Sequence, residues 1–165
     1  MANKQSFTPE EWSKVTQSAM LAGMAVTAAE PSGLWGSLKE AFASSTVLAK
    51  SKLDAGTSEL VKAVIAEFET SEGRASLQEA LKQRLAGAKA GEVVQRSLEN
   101  LREVSSILDA KAPGEAAAYK AWLQGISQKV AEAAKEGSTF GFGGVKVSDA
   151  EKLALEDIAK ALGTA

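Results

Sequence analysis

The chain contains no histidine and no cysteine among its 165 residues. Zinc sites with ordinary ligands, iron–sulfur clusters, thiol nucleophiles, histidine-ligated haem and Ser-His-Asp triads each need one of these two residue types. The ferritin-like di-iron bundle is excluded as well, because it needs Glu-x-x-His pairs. Carboxylate, Lys, Ser, Thr or Tyr chemistry remains. We therefore expect no cofactor and no metal, and we favour a protein that is not an enzyme.

Aromatic residues are also scarce, at 5% of the chain, whereas alanine occurs 31 times. Alanine favours helix and occupies little volume, so the composition indicates helices that pack at short distances. At this length the chain is expected to form one domain over residues 1–165, with a flexible N-terminus at residues 1–7. The predicted fold class is all-α, a bundle of about seven helices.

No excess of one charge sign is present, since 19 basic and 21 acidic residues give a net charge of −2. A mixed distribution of this kind provides no field for a phosphate backbone, so we expect no nucleic-acid partner. The polar start, which includes Pro9, lacks the apolar region of a secretory signal. We expect a cytoplasmic location.

One long segment has almost no charge: Glu30 is the single ionisable residue between Val15 and Leu38. It lies at a Glu-Pro-Ser-Gly break between two apolar stretches, which predicts a helical hairpin at the centre of the molecule. Each stretch is shorter than the ~20 apolar residues that span a bilayer, so we expect no membrane insertion.

Capping signals place the helix boundaries. Thr8 and Glu11 form a predicted capping box, and Phe7 with Trp12 forms a predicted hydrophobic staple. A second capping box is predicted at Ser148 and Glu151. Seven helices are predicted. The first ends near Ala29, the second covers 33–54, the third is capped by Thr57 and the fourth by Ser71. The fifth covers 90–111 with an outer Glu92–Arg96 ion pair, the sixth runs from Pro113 to Gly137, and the seventh ends at Gly163.

Two segments are candidate ligand sites. Glu30 follows the most apolar helix, and a partly buried carboxylate there would bind a cation or act as an acid or base; the alternative is a hydrated turn residue. Residues 137–148 contain Gly143 and Gly144, whose amides could form an anion-binding concavity beside Lys146. No P-loop pattern is present, and the alternative is a simple connector.

Two further groups of residues are candidate sites. Trp35 is a candidate lining residue of an apolar cavity, together with Trp12, Trp122, Met20 and Met24, although such residues more often fill a core. The glutamates near the end of the third helix, at positions 67, 69 and 72, resemble a cation cluster, but their spacing favours a solvated helix end.

Several strings resemble those of an uncharacterised family of small bacterial all-helical proteins. They are Phe7-Thr-Pro-Glu-Glu-Trp12, Gly23-Met-Ala-Val-Thr-Ala-Ala-Glu-Pro-Ser-Gly33, Asp109-Ala-Lys-Ala-Pro-Gly114 and Phe140-Gly-Phe-Gly-Gly144. The resemblance implies no particular activity. The stretch 144–151 is also similar to the loop-to-helix element of TerB-like tellurite-resistance domains, but Gly143 stands where those carry an acidic residue, so the metal ligand is missing.

The sequence thus favours a non-catalytic helical domain that acts by binding a protein partner or another copy of itself. The alternative is a protein that binds a small molecule or cation near the Glu30–Pro31 hinge and the glycine-rich loop, with Glu30, Trp35, Gly143, Gly144 and Lys146 as ligand-binding residues. An enzyme that uses carboxylate or lysine catalysis is the third class considered.

Overall fold

The computed structural model of the chain describes residues 2–29, 58–136 and 148–165. Over these ranges the chain is all-α, with one short 3₁₀ helix, six α-helices and no strand. The 3₁₀ helix is Lys4–Ser6, and the α-helices are α1 Pro9–Ala29, α2 Glu59–Glu69, α3 Ser71–Arg84, α4 Ala90–Lys111, α5 Pro113–Glu136 and α6 Asp149–Leu162. The predicted second helix over 33–54 lies outside the described residues, so the central hairpin stays a prediction.

The start of α1 has the geometry that its capping signals predict. Glu11 Oε2 accepts from the Thr8 N–H at 2.8 Å, and the Glu11 N–H donates to Thr8 Oγ1 at 3.2 Å. The hydrogen bond from the Thr8 main chain lowers the pKa of Glu11, and nearby Lys111 acts in the same direction. The Phe7 and Trp12 rings are 5.8 Å apart, which confirms the predicted staple.

Residues 2–7, for which the sequence predicts flexibility, are attached to the bundle. Lys4–Ser6 form a 3₁₀ turn that Asn3 caps, with its side chain accepting from the Gln5 N–H at 2.9 Å. Ala2 and Phe7 are buried in the main apolar core. Burial of these two side chains ties the first residues to the helices that follow.

Helix α1 lies at the centre of the described helices and packs mainly against α4 and α5. Three of its main-chain carbonyls accept hydrogen bonds from side chains of other helices. Asn100 Nδ2 donates to Lys14 O at 3.2 Å, Tyr119 OH to Val15 O at 2.9 Å, and Ser127 Oγ to Ala22 O at 3.1 Å. These contacts are possible because small residues of α1 allow the neighbouring helices to approach its backbone.

The apolar core consists of one large cluster and one small one. The large cluster joins α1, α2, α4, α5 and α6, with Leu101, Leu108 and Leu123 fully buried. The small cluster lies where α3 meets α1 and α4 and contains Leu21, Met24, Ala28 and Val93. Helix α3 itself buries only Gly73 and Leu77. It is therefore the least embedded of the described helices for its length.

Two predicted caps were each wrong by one residue. Helix α2 is capped by Ser58, whose Oγ accepts from the Val61 N–H at 3.2 Å, and not by Thr57. Helix α3 is capped by Thr70, whose Oγ1 accepts from the Gly73 N–H at 2.9 Å, and Ser71 is its first residue. Adjacent Ser and Thr residues are both good caps, so the local sequence does not choose between them.

The other described boundaries agree with the sequence. Helix α4 has the predicted bounds, and α6 begins with the predicted box, in which Glu151 Oε2 accepts from the Ser148 N–H at 3.0 Å. Gly163 ends α6 with a φ of 69°.

The predicted Glu92–Arg96 pair does not form: Glu92 accepts from the Lys89 N–H, and Arg96 donates to the carbonyls of Arg84 and Ala86. None of the helices in the described ranges combines the length and the apolar character that a membrane span requires.

Candidate functional site

The ligand-binding residues predicted from the sequence lie outside the described ranges. They are Glu30, Trp35, Gly143, Gly144 and Lys146. Their placement in one site therefore stays a prediction. The described helices contain a different candidate, a crevice built around Trp12.

This Trp12 crevice has a volume of about 190 Å³ and lies where the start of α1 meets α2 and α3. Its walls combine apolar side chains with hydroxyl-bearing and charged ones. Its lining is formed by Lys4, Pro9, Trp12, Ser13, Thr16, Glu67, Phe68, Gly73, Ser76 and Leu77. An apolar wall with a few polar groups is the usual character of a ligand-binding pocket.

Trp12 is 5% exposed, and its indole Nε1 has no hydrogen-bond partner in the part of the chain that the structure describes. A buried N–H without an acceptor costs about 1–3 kcal/mol. Trp122 also has a buried Nε1 without an acceptor among the described residues, but it packs edge-on against Tyr119 and does not line the crevice. Both indoles thus have a buried N–H without an acceptor among the described residues, but only Trp12 lines the crevice.

An ion pair stands at the crevice. Lys4 Nζ and Glu67 Oε1 lie 2.8 Å apart, joining the N-terminal turn to the end of α2. Because the two charges are opposite and adjacent, they give the crevice little net field for a charged ligand. The lining therefore favours an uncharged group with an apolar body.

Gly73 lets the α3 wall of the crevice lie close to α2. A Cβ at this position would collide with the carbonyl oxygen of Glu67 and crowd Thr70 Oγ1. Any other residue would push the start of α3 away from α2, and with it Ser76 and Leu77, one turn further along. The turn between the two helices, which the sequence marks only by its polar residues, is thus what shapes the crevice.

Buried ionisable groups outside the crevice have contacts that stabilise the fold. Burial raises the pKa of Tyr119 well above its usual value, while its hydroxyl, which donates to Val15 O, also contacts Ser18. Lys120 is buried and binds both carboxylate oxygens of Asp109, at 2.7 and 2.9 Å. Neither group lines the crevice.

Glutamates 67, 69 and 72 do not form a cation site, since Glu67 is paired with Lys4. Within the described ranges no three acidic side chains come together in a way that could hold a metal ion.

Comparison of the chain with protein-family models finds no matching family. Comparison with curated proteins and with solved structures likewise finds no match. The case for function is therefore made from the residues and their geometry.

The sequence contained part of the signal for this crevice. Trp12 is one of the tryptophans and methionines that the sequence offers as the lining of a cavity, and Trp12 lines this crevice. Of the other members, Met24 is buried in the small core cluster and Trp122 packs against the large one. The Lys4–Glu67 pair spans 63 positions, so no local pattern could have shown it.

Proposed function

We propose that this chain is a non-catalytic helical binding domain, which associates with a protein partner or with another copy of itself. The Trp12 crevice is the observation that carries this proposal. It would receive one ring-bearing side chain of the partner as an anchor, in the way that interface hot spots commonly fill a pocket on the opposite surface.

The size of the crevice favours a single side chain. Small-molecule pockets usually measure roughly 300–1,000 Å³, whereas this crevice measures about 190 Å³. A cavity of about 150 Å³ already accepts a benzene ring. The volume of the crevice therefore matches a phenyl or phenol ring better than a drug-sized molecule.

The exposed surface of the described residues gives a second reason to propose binding through one side chain in the crevice and not through a broad apolar face. Leu153, which is 60% exposed, is the one large apolar side chain that lies open on this surface. Single exposed leucines are normal in monomeric proteins, so Leu153 alone does not make a docking face. An association in which a pocket supplies the specificity needs no such face.

The buried ionisable groups support a non-catalytic role. Catalytic groups usually lie in clefts, with pKa values shifted by their surroundings. Among the described residues the large shift belongs to Tyr119, which is enclosed in the core beside α1. Its hydroxyl is engaged by the Val15 carbonyl, so it contributes to packing and not to turnover.

A small uncharged aromatic molecule is the second candidate occupant of the crevice. Trp12 lines the crevice, and its buried indole N–H has no acceptor among the described residues. An acceptor atom on such a molecule would satisfy this donor if the indole turned toward the crevice. The site proposed from the sequence at Glu30 and the glycine-rich loop is a separate proposal, with its residues outside the described ranges.

Native mass spectrometry of freshly purified protein tests the two occupants together. Protein association predicts a dimer or a complex with a second polypeptide, and the small-molecule alternative predicts a monomer with a retained mass of low molecular weight. A monomer that retains nothing and captures nothing from lysate would contradict both.

Two phenylalanine substitutions of exposed serines link the result to the crevice. Ser76 lines the crevice, and Ser106 lies on α4 away from it. Ser76→Phe is expected to fill the crevice and to lose the complex, while Ser106→Phe adds the same apolar ring to the surface and keeps it. Equal behaviour of the two variants would place the interface elsewhere.

Phenol serves as a surrogate for the anchoring ring. In a ¹H–¹⁵N spectrum, phenol is expected to shift the indole N–H signal of Trp12 and to leave that of Trp122 unchanged. Assignment follows from Trp12→Phe and Trp122→Phe. An equal response of both signals would show that phenol does not recognise the crevice.

A further inference from the structure

A second crevice lies between α1, α3 and α4, and we call it the arginine crevice. It is a shallow depression, open to solvent, with a volume of about 420 Å³. It is lined by Gln17, Ala80, Gln83, Arg84, Arg96 and Glu99. On α3 its residues continue the face that lines the Trp12 crevice, because residues 73, 76, 77, 80, 83 and 84 recur at helical spacing.

Uncharged acceptors hold both guanidinium groups in place. Arg84 Nε donates to Gln17 Oε1 at 2.8 Å. Arg96 Nη1 donates to the main-chain oxygens of Arg84 and Ala86, at 2.9 and 3.0 Å. Gln17 is itself buried, and its amide donates to Ser13 Oγ at 3.1 Å. A ligand that binds these groups therefore meets side chains whose ordering is already achieved by the fold.

The positive charge of the pair is only partly compensated. The Arg84 side chain is 20% exposed, and its carboxylate partner, Glu103 Oε2, lies at 3.9 Å. Glu103 is closer to Lys14, at 3.2 Å, and is the more exposed partner. Arg96 has no ion pair with the carboxylates of residues 2–29, 58–136 and 148–165. A guanidinium removed from water is stabilised when an anion approaches it.

We propose that the arginine crevice binds a small phosphorylated molecule and that Arg84 and Arg96 hold its phosphate group. The guanidinium fork matches the oxygens of a phosphate, and a dianionic phosphate balances two positive charges. The amide groups of Gln17 on α1 and Gln83 on α3 add polar atoms to the lining of the crevice. This proposal is independent of the protein association proposed at the Trp12 crevice.

Arg74 provides a matched control. Its Nη1 donates to the carbonyls of Phe68 and Glu69, at 3.1 and 2.9 Å, as Arg96 does at the end of α3. Arg74 lines neither crevice. Replacement of either arginine thus removes two hydrogen bonds to a helix C-terminus, but only Arg96→Gln removes a positive charge from the arginine crevice.

The test titrates inorganic phosphate into ¹⁵N-labelled protein while chloride holds the ionic strength constant. Saturable shifts are expected at the side-chain signals of Arg84, Arg96 and Gln17. Arg96→Gln should weaken the affinity at least about tenfold, the usual loss for a hydrogen bond to a charged group. Arg74→Gln should leave it unchanged, and Glu99→Gln should strengthen it about two- to fivefold by removing a repulsive charge.

Three outcomes would overturn the proposal. They are shifts that spread over the surface lysines without saturation, equal losses in Arg74→Gln and Arg96→Gln, and equal affinity for acetate, which would mark a general anion site. If Arg96→Gln does not fold, the wild-type protein and Glu99→Gln decide the question, since unchanged affinity in Glu99→Gln contradicts a phosphate between the two arginines.

Discussion

Glu115 Oε2 accepts a hydrogen bond from the main-chain N–H of Leu60 at 2.8 Å, so a carboxylate at the start of α5 caps an amide at the start of α2. The first four N–H groups of a helix have no partner within it, and Leu60 carries one of these. Glu115 Oε1 also accepts from the Ala2 N–H, at 3.3 Å. One side chain thus joins the N-terminal segment and two helices.

Glu115→Gln should destabilise the protein by about 1–3 kcal/mol, because the amide loses the charge and one of the two acceptor oxygens. Urea unfolding followed by circular dichroism measures this change. Glu156→Gln, at an exposed position of α6, is the control and should stay within about 0.5 kcal/mol of wild type. Equal effects of the two substitutions would show that the Glu115 contacts contribute nothing.

Gly73→Ala should destabilise the protein, by about 1–3 kcal/mol, although alanine is the better helix former. The reason is the collision of the new Cβ with the Glu67 carbonyl. Gly125→Ala in α5 is the matched control, because a Cβ there meets no atom within 4 Å. This substitution should raise the free energy of unfolding by about 0.5–1 kcal/mol. Thermal unfolding of both variants checks the opposite signs. A stabilised Gly73→Ala variant would contradict the close approach of α2 and α3.

Tyr119 should make the fold sensitive to alkaline pH. Burial raises the pKa of its hydroxyl in the folded state, whereas an unfolded tyrosine titrates near pH 10. The folded state keeps the proton when the unfolded state has lost it. The contribution of Tyr119 is therefore complete below about pH 10 and falls by up to about 1.4 kcal/mol per pH unit above it.

The chain has a single tyrosine, so tyrosinate absorbance at 295 nm reports on Tyr119 once the tryptophan contribution, measured with Tyr119→Phe, is subtracted. We expect tyrosinate to appear together with unfolding and not before it. Tyr119→Phe should lose about 1 kcal/mol with the Val15 hydrogen bond and should show a shallower fall in stability above pH 10. A normal titration in a protein that is still folded would contradict the burial of this hydroxyl.

The sequence predicts those parts of the fold that depend on neighbouring residues. The capping box at Thr8 and Glu11 and the periodic pattern of α4 were predictable because their partners lie within a few positions. The sequence predicts that Arg96 pairs with Glu92 on the same helix, yet Arg96 donates to carbonyls at the end of α3. Which acceptors Arg96 binds depends on the relative position of α3 and α4, and a local sequence pattern gives no information about that position.

The candidate site likewise depends partly on local sequence and partly on how distant helices pack. The sequence offers Trp12 as a cavity residue only as the alternative to a core residue, and the walls opposite it come from α2 and α3. The close approach of Gly73 to Glu67 becomes visible only when the turn between α2 and α3 is known. Packing between helices, and not propensity, creates both crevices.

One face of α3 contributes to both the Trp12 crevice and the arginine crevice, and α1 supplies the opposite wall of each. A tilt of α3 relative to α1 therefore reshapes both cavities in a single motion. Whenever an occupant shifts that helix, the two binding equilibria become linked, and each changes the affinity of the other by the same factor. The domain would then have the physical basis for a two-input sensor.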